Sequence, residues 1–461
     1  MRCLLFVCFL LSSTTLMALD RFQVEGYELH NGLQILLKPG DGKGHVAIRL
    51  VVGVGFDDFA CDEKELPHLL EHLLFSGTDD RGEGGLEERI QSLGGEWNAF
   101  TSNADTTFVM EAPARNQRQA LDLLLDILTQ SRINQNTLAA AKGIVEHEGG
   151  GHYSRLQRWL DHKDIGHSAS KQLAVELGLK CAERTDIESL SLEQVEKVRI
   201  NWYAANNMTL IVVGDLDRFL PGYLERTYGQ LSAIEPGDHP PLAAISHMAK
   251  AERTLTKGWL GEGAQVHWYF PEPVLAQQHD ETYELLQKYL DWSLYRTLRL
   301  KDGLSYGPWS EREVFGDTGF TSLNADLSRN DIQQATQVMR DLTASLQKDG
   351  LDPGTFARMQ QAAVDKQSWA VQGNSALADY YWGSLSDYDD GHFADPAREI
   401  KAVSLDTANQ ALRGLLAQKG YLRVEKPLLN YDELYELTAG GLALLMLALA
   451  VVYRKRKRRI G

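Results

Sequence analysis

Hydrophobic residues recur along the first half of the chain with two different periods. A largely apolar run over His45–Gly53 and the stretch Thr106–Met110 predict strands. Elsewhere apolar residues return every three or four positions, which is the spacing of one helix face. These residues are Leu86, Ile90 and Leu93 in one stretch, and Ala120, Leu121, Leu124, Leu125 and Leu128 in another. Strands mixed with amphipathic helices favour an α+β fold in which helices pack on a sheet.

The second half of the chain repeats this pattern. The stretch Thr137–Glu148 aligns with Thr355–Lys366 at a shift of 218 residues, and each follows a strand and an amphipathic helix. A duplication is the simplest account. The richest cluster of turn-forming residues, Ile234–Pro241, marks the junction. We predict two duplicated α/β-layer domains, each a mostly antiparallel sheet covered by helices, over residues 19–226 and 256–430, joined by a linker over 227–255.

The N-terminus has the features of a secretory signal. Arg2 precedes an apolar run over Cys3–Leu11, and the small residue Ala18 suits a cleavage site. We therefore predict that residues 1–18 are a signal peptide that directs the rest of the chain out of the cytoplasm.

The C-terminus has the features of a membrane anchor. Leu437–Tyr453 contains no charge and gives about 25 Å of helix. The basic tail, residues 454–461, should remain in the cytoplasm. The body would then lie outside the cytoplasm, at the periplasmic face in a bacterium. The alternative is a sorting tag that is cut after translocation, since Gly440–Gly441 stands near the start of the apolar run.

Composition and charge exclude several classes of protein. The 461 residues are 43% hydrophobic and 24% charged, which is typical of a globular protein and not of a disordered or polytopic membrane chain. All 63 acidic residues lie between Asp20 and Glu436, and the same stretch contains 40 basic residues. An acidic body argues against nucleic acid as a partner.

Two cysteines remain in the predicted exported body. Cys61 and Cys181 would meet an oxidising compartment, where disulfides form. The sequence leaves open whether they pair with each other or stay as two separate thiols.

The strongest chemical motif is His68-Leu69-Leu70-Glu71-His72. Two histidines four residues apart share one helix face and can both bind a single metal ion. Glu71 stands beside the second histidine, as in the inverted zinc-peptidase motif. A catalytic zinc takes three protein ligands and keeps one open position, so a third ligand must come from elsewhere in the chain.

Glu148 is the predicted third ligand. It ends the helix-like stretch that starts at Thr137 in the same copy. The aligned residue of the second copy is Lys366, which cannot serve as a ligand while it is protonated. The second copy also lacks the histidine motif, and the aligned positions hold Leu286, Tyr289 and Leu290. One copy is therefore predicted to hold the metal and the other to lack it.

With these motifs, the chain resembles the pitrilysin/insulinase family of zinc peptidases, which includes the mitochondrial processing peptidase. The resemblance spans residues 27 to 425 and rests on the HxxEH motif and on the spacing of 76 residues between His72 and Glu148. It also rests on Gly94–Ser102 and on Asn207–Asp215.

The resemblance implies a zinc metalloendopeptidase that acts on unfolded peptides. Glu71 would be the general base, and Asn98 and Ala99 would lie on the strand to which a substrate peptide pairs. Arg299 and Tyr306 of the second copy would hold the substrate and help stabilise the reacting carbonyl. The family also implies a homodimer, or a heterodimer with a related subunit.

Two features depart from the family pattern. The family usually carries a second glutamate seven residues before the third ligand, and this chain has Ala141 there. Glu148 is followed by Gly149–Gly151, which could end the ligand helix. The alternative reading is therefore a non-catalytic peptide-binding or assembly subunit of a peptidase complex.

Overall fold

The computed structural model describes residues 20–40, 42–78, 81–148, 168–182, 185–235, 237–245, 248–273, 280–316 and 318–460. The predicted signal peptide and the Gly149–Gly151 run lie outside the described residues. The fold is α+β, with two large sheets and helices packed on them, as the sequence predicts.

The first half begins at β1 and ends with α7. Its strands are β1 (Glu25–Glu28), β2 (Gln34–Pro39), β3 (His45–Val52), β4 (Gly77–Thr78), β5 (Arg81–Gly82), β6 (Glu96–Thr101), β7 (Thr106–Pro113) and β8 (Met208–Gly214). Its helices are α1 (Leu66–Leu74), α2 (Glu83–Ser92), α3 (Gln117–Gln130), α4 (Gln135–Glu148), α5 (Ala169–Glu176), α6 (Leu192–Trp202) and α7 (Leu220–Thr227). The strands and helices predicted from hydrophobic spacing are all present.

The second half begins at β9 and ends with a long helix. Its strands are β9 (Glu252–Thr256), β10 (Gly263–Pro271), β11 (Trp309–Phe315), β12 (Thr318–Ser328) and β13 (Tyr421–Lys426). Its helices are α8 (Asp280–Leu294), α9 (Ile332–Asp349), α10 (Pro353–Ala370), α11 (Asn374–Gly383), α12 (Pro396–Ala402), α13 (Leu405–Leu416) and α14 (Tyr431–Ile460). The predicted linker range, 227–255, contains the end of α7 and the start of β9.

The two large sheets share one topology. The first has the order β1-β2-β8-β3-β7-β6 and the second has the order β11-β12-β10-β13-β9. Read from β6 and from β11, each sheet starts with three antiparallel pairings and then one parallel pairing, and the first sheet adds the antiparallel pair of β2 with β1. Helices α4 and α10 start at Gln135 and Pro353, which differ by the shift of 218 found in the sequence. The structure thus has the duplicated architecture that the sequence predicts.

One helix of each half packs on the sheet of the other half. One face of the first sheet packs on α1, α3, α4 and α6 of its own half. Its opposite face is covered by α11, whose Leu377, Ala378 and Tyr381 pack among strand residues of β2, β3 and β8. Conversely, α5 lies on the second sheet, where Ala169 and Leu173 join a buried cluster with strand residues of that half. We call this arrangement the helix exchange.

A buried arginine pairs with a carboxylate on each exchanged helix. Arg49 on β3 is 2% exposed, and its Nε donates to Asp379 Oδ1 on α11 at 2.7 Å. Arg423 on β13 is fully buried, and its Nη2 donates to Glu176 Oε2 on α5 at 3.0 Å. A buried guanidinium needs such a partner, since an unpaired buried charge is costly. The two halves therefore share charges as well as apolar contacts.

Cys61 and Cys181 form a disulfide, which answers the question that the sequence left open. The bridge joins the turn that precedes α1 to the segment that follows α5. It therefore ties the helix that carries the histidine motif to the exchanged helix of the same half.

Helix α14 extends beyond the predicted apolar run at both ends. Within the described part of the chain, it is the one helix long and apolar enough to cross a membrane, over Tyr431–Lys457. None of that apolar window packs inside the body.

Candidate metal centre

Helix α1 carries the histidine motif, and most of its other residues are buried. Pro67 lies in its first turn, where its missing N–H costs no hydrogen bond. The leucines of α1 are buried against α4 and α6 and hold the helix in place; they are Leu66, Leu69, Leu70, Leu73 and Leu74. His68 and His72 lie one turn apart and are each 20% exposed at the side chain. Both imidazoles therefore reach the same small space above α1.

Helix α4 brings Glu148 to the histidines. Its buried residues Leu138, Ala141 and Val145 recur at helical spacing and pack in the core of the first half. Glu148 follows three residues after Val145 and so continues this face toward α1. Ala141, where the family usually has a second glutamate, is 3% exposed and belongs to the hydrophobic core.

Three potential ligand atoms converge at this point. His68 Nε2 and His72 Nε2 lie 3.2 Å apart. Glu148 Oε2 lies 3.3 Å from His68 Nε2 and 3.4 Å from His72 Nε2. A tetrahedral zinc ion with ligands at about 2.0–2.1 Å holds those ligands about 3.4 Å apart. The near-equilateral triangle and the two-nitrogen, one-oxygen donor set therefore fit zinc.

Glu71 lies beside the triangle and does not belong to it. Glu71 is 7% exposed, and its Oε2 accepts a hydrogen bond from Thr101 Oγ1 on β6 at 2.6 Å. Thr101 thus fixes one carboxylate oxygen of Glu71, and the other oxygen has no protein hydrogen bond among the described residues. This arrangement leaves Glu71 one oxygen with which to accept a proton.

Glu65 holds the far side of the His68 ring. Glu65 Oε2 lies 3.0 Å from His68 Nδ1. Burial alone would lower the pKa of His68, but the hydrogen bond to Glu65 and the negative charges of Glu71, Glu65 and Glu148 raise that pKa above its ordinary value. Because Nδ1 donates its proton to Glu65, the lone pair of Nε2 is directed to the triangle.

Strand β6 forms a free edge of the first sheet next to α1. Among the described strands it pairs only with β7, with Asn98 opposite Val109 and Ala99 opposite Phe108. Ala99 N–H donates to Oδ1 of Asn98 at 2.9 Å. Alternate side chains of β6 are exposed, and Thr101 on this strand contacts Glu71. The predicted peptide-pairing residues thus lie on the same edge that supports the candidate base.

Arg299 and Tyr306 contact each other in the second half. Arg299 Nη1 donates to the Tyr306 carbonyl at 2.6 Å, and its guanidinium lies 4.2 Å from the centre of the Tyr306 ring. Tyr306 is 77% exposed. Within the described residues, no hydrogen bond or ion pair joins this pair to His68, His72 or Glu148. The pair is formed and accessible, but it does not touch the triangle.

Two residues of the site had no predicted individual role. Glu65 stands three residues before His68, and this helical spacing is a signal from which its contact could have been found. Thr101 comes from a separate strand, and no spacing relates it to Glu71. Thr101 lies within Gly94–Ser102, the segment that matches the family pattern.

Two family models match the chain. "Insulinase (Peptidase family M16)" matches residues 35–163, which include the whole triangle. "Peptidase M16 inactive domain" matches residues 189–363, which include Arg299 and Tyr306.

Named relatives agree with this match. The chain is 22% identical over 419 residues to an uncharacterized zinc protease of Bacillus subtilis, YmxG, covering 88% of this chain and 98% of the relative. It is 33% identical over 189 residues to a probable mitochondrial-processing peptidase subunit beta of Arabidopsis thaliana, covering 40% of this chain and 35% of that subunit.

Solved structures share the fold over most of the chain. A protease from Helicobacter pylori superposes with a TM-score of 0.70 at 17% identity, covering 88% of this chain and all of the other. A peptidase M16 inactive domain from Pseudomonas fluorescens gives a TM-score of 0.71 at 16% identity, covering 88% and 98% of the two chains. At these identities the likeness concerns the fold.

Proposed function

Because the chain belongs to the insulinase family of peptidases, family M16, we propose that it is a zinc metalloendopeptidase that hydrolyses unfolded peptides. His68, His72 and Glu148 would hold the metal, and Glu71 would act as general base. The observation that carries this proposal is the triangle of ligand atoms, with sides of 3.2, 3.3 and 3.4 Å. The zinc protease names of the relatives support it.

When bound at the triangle, zinc would lower the pKa of a coordinated water and polarise the scissile carbonyl. Glu71 accepts the proton of the attacking water on the oxygen that Thr101 leaves free. Thr101 keeps the Glu71 carboxylate from rotating away, and Glu65 keeps the His68 ring in one tautomer. These chain groups orient the base and the ligands before a substrate arrives.

The substrate peptide would bind along β6 as an added strand, with Asn98 and Ala99 contributing backbone hydrogen bonds. Arg299 and Tyr306 would contact that peptide from the second half, and the Tyr306 hydroxyl would donate to the developing oxyanion. The high exposure of Tyr306 supports this role, since its hydroxyl is available to a ligand.

The proposal includes a location and an assembly state. Helix α14 would anchor the chain, with the basic tail in the cytoplasm and the body outside it, at the periplasmic face in a bacterium. We propose that the body pairs with a second copy or with a related subunit to enclose its substrate. Sedimentation of the detergent-solubilised chain tests this pairing, and a strictly monomeric species would contradict it.

The test of the activity compares peptide cleavage and bound zinc in the full chain and in Glu71→Gln. We expect the variant to keep about one zinc per chain and to lose at least about 100-fold in cleavage rate, because it lacks the general base. His72→Ala should lose both zinc and cleavage. The control is Glu193→Gln, which changes a 78% exposed carboxylate on α6 and should keep full activity.

A non-catalytic peptide-binding or assembly subunit is the second candidate. Ala141 supports it, because a glutamate usual in the family is replaced by a core residue. The half-exposed Glu148 side chain also supports it, since an exposed ligand is less firmly held. Bound zinc without cleavage in the unmodified chain would favour this reading, and absence of zinc would favour it more strongly.

A further inference from the structure

One exposed apolar loop lies next to the start of α14. The loop, residues 257–261, connects β9 to β10 and carries Trp259 and Leu260 at its tip, which are 47% and 40% exposed. Gly258 has φ of +82°, a backbone conformation that suits glycine and turns the chain here. Nearly half of the surface of each of these two large apolar side chains is therefore open to solvent. We call residues 257–261 the apolar loop.

The apolar loop is fixed to the segment that leads into α14. Leu429 N–H donates to the Trp259 carbonyl at 2.9 Å, and Gly261 N–H donates to the Leu429 carbonyl at 3.1 Å. Leu428 N–H donates to the Gly258 carbonyl at 3.1 Å. Leu428 is itself half exposed and extends the apolar surface. The loop and the root of the helix therefore form one small unit.

The direction in which α14 leaves the body is also fixed. Tyr431 N–H donates to Glu262 Oε1 at 2.9 Å, just after the apolar loop. Arg329 Nη2 donates to Glu433 Oε1 at 2.9 Å, and Glu433 N–H donates to Asn430 Oδ1 at 2.7 Å. These contacts tie the first turn of α14 to the second half. The apolar loop thus keeps a defined position relative to the helix axis.

The loop lies near the depth at which lipid headgroups begin. Six residues, about 9 Å of helix, separate Tyr431 from the start of the apolar run at Leu437. The headgroup region adds roughly 5–7 Å to each side of the hydrocarbon core, and membrane helices tilt by about 20° on average. A tilt of α14 toward the loop would bring Trp259 closer to the headgroups. Tyr431 and Tyr435 lie one turn apart on one face of this stretch of α14 and are both exposed, and Trp and Tyr are the residues enriched at membrane interfaces.

We propose that the apolar loop is a membrane-contact site, in which Trp259 and Leu260 enter the headgroup layer of the bilayer that α14 spans. This rests on the anchoring part of the proposed function. The loop gives the body a second point of contact, which fixes its tilt above the membrane. A cavity of about 610 Å³ lies beside the loop, with Lys257 and Pro427 at one side and Tyr306 at another. Tyr306 therefore lines a cavity that adjoins the proposed membrane contact.

The test places an environment-sensitive fluorophore on single cysteines of the full chain. Leu260→Cys reports on the loop, Leu445→Cys reports on the middle of α14, and Ile200→Cys is the matched control on an exposed apolar residue of the first half. The native cysteines do not compete for the label, since Cys61 and Cys181 are held in the disulfide and Cys3 and Cys8 fall in the predicted signal peptide. Each is reconstituted into vesicles of phosphatidylethanolamine and phosphatidylglycerol that contain lipids spin-labelled either near the headgroup or deep in the acyl chain.

We expect the Leu260 label to lose emission with the shallow spin label more than with the deep one. The Leu445 label should show the reverse order, and the Ile200 label should lose no emission with either. Quenching at Leu445 without quenching at Leu260 would overturn the loop contact while leaving the anchor intact. A blue-shifted but unquenched Leu260 label would also overturn it, because protein would then cover the loop. Absence of quenching at Leu445 would overturn the anchor and the loop contact together.

Discussion

Glu65 Oε2 lies 3.0 Å from Nδ1 of His68, on the side of the ring opposite to Glu148. The contact joins the residue just before α1 to a side chain in its first turn. A carboxylate on the outer nitrogen of a ligating histidine fixes its tautomer and makes its inner nitrogen a better ligand. Glu65 thus supplies a negative charge near the triangle from the residue that precedes α1, whereas Ala141 of α4 supplies none.

Replacing Glu65 should weaken zinc binding. We expect Glu65→Ala to lower zinc affinity by roughly 10–100-fold, the usual cost of removing such an outer contact. Glu65→Gln should lose less, because its amide oxygen can still accept the hydrogen bond. The measurement is competition with a zinc chelator at mildly alkaline pH, where protonation of the histidines competes little. Asp62→Asn, an exposed neighbour, is the control. An unchanged affinity in Glu65→Ala would contradict the positioning role.

Removing the disulfide should destabilise the chain. Cys61 and Cys181 are 120 residues apart in sequence, so the bridge closes a long loop in the unfolded chain. We expect Cys61→Ser with Cys181→Ser to lower the free energy of unfolding by about 2–4 kcal/mol. Thermal unfolding with and without reductant measures this. Reductant should lower the unfolding midpoint temperature of the unmodified chain to that of the variant. It should leave the midpoint temperature of the variant unchanged. Insensitivity of the unmodified chain to reductant would show that the bridge contributes nothing.

Removing the carboxylate on exchanged helix α5 should destabilise the contact between the halves. Glu176 pairs with fully buried Arg423 and also with Arg253. We expect Glu176→Ala to cost about 3–5 kcal/mol, because it leaves a buried guanidinium without its partner. The matched control is Glu193→Ala, which breaks an exposed pair with Lys197 and should leave stability nearly unchanged. Denaturant unfolding of both variants decides this, and equal losses would argue against the ion pair.

The pair of Glu399 and Glu281 should make stability fall as pH rises. Burial, then the hydrogen bond and the charge of Glu281, raise the pKa of Glu399 from 4.5 to about 7. Between these values the folded chain holds a proton that the unfolded chain releases, so stability is greatest below the unfolded pKa and is lost as pH rises through the folded pKa. Glu399→Gln keeps the neutral form at every pH.

We therefore expect Glu399→Gln to be more stable than the unmodified chain at about pH 8, and to differ little at about pH 5. The gain should stay below about 1 kcal/mol, since solvent screens this partly exposed pair. Thermal unfolding across this range gives the measurement, with the exposed Glu188→Gln as control. Parallel pH profiles of variant and unmodified chain would contradict the shared proton.

The sequence allowed prediction of what depends on local spacing. Apolar periodicity located β3, β7 and α3, and the shift of 218 residues located the duplicated helices α4 and α10. The four-residue spacing of His68 and His72 required a common helix face, which the structure has. Glu148 could be selected because its counterpart in the other copy is a lysine.

Contacts between distant segments could not be predicted in the same way. The apolar side chains of α5 and α11 indicate burial, but they do not say which sheet each helix covers. Arg49 interrupts an apolar strand, which signals an unusual buried charge, but nothing in the sequence identifies Asp379 as its partner. The cysteine pairing was open for the same reason, because pairing depends on the folded path of 120 intervening residues.

The helix exchange bears on how such a chain could have arisen and how it could be divided. In a polypeptide with only one copy of the unit, one face of the sheet would be exposed to solvent. Its exchanged helix would have no sheet to pack on. Two such polypeptides would complete each other as a swapped dimer, a low-cost route to association. The present chain joins that reciprocal pair in one molecule. A cut between Ser232 and Ala251, before β9, should therefore yield two fragments that fold together and not separately.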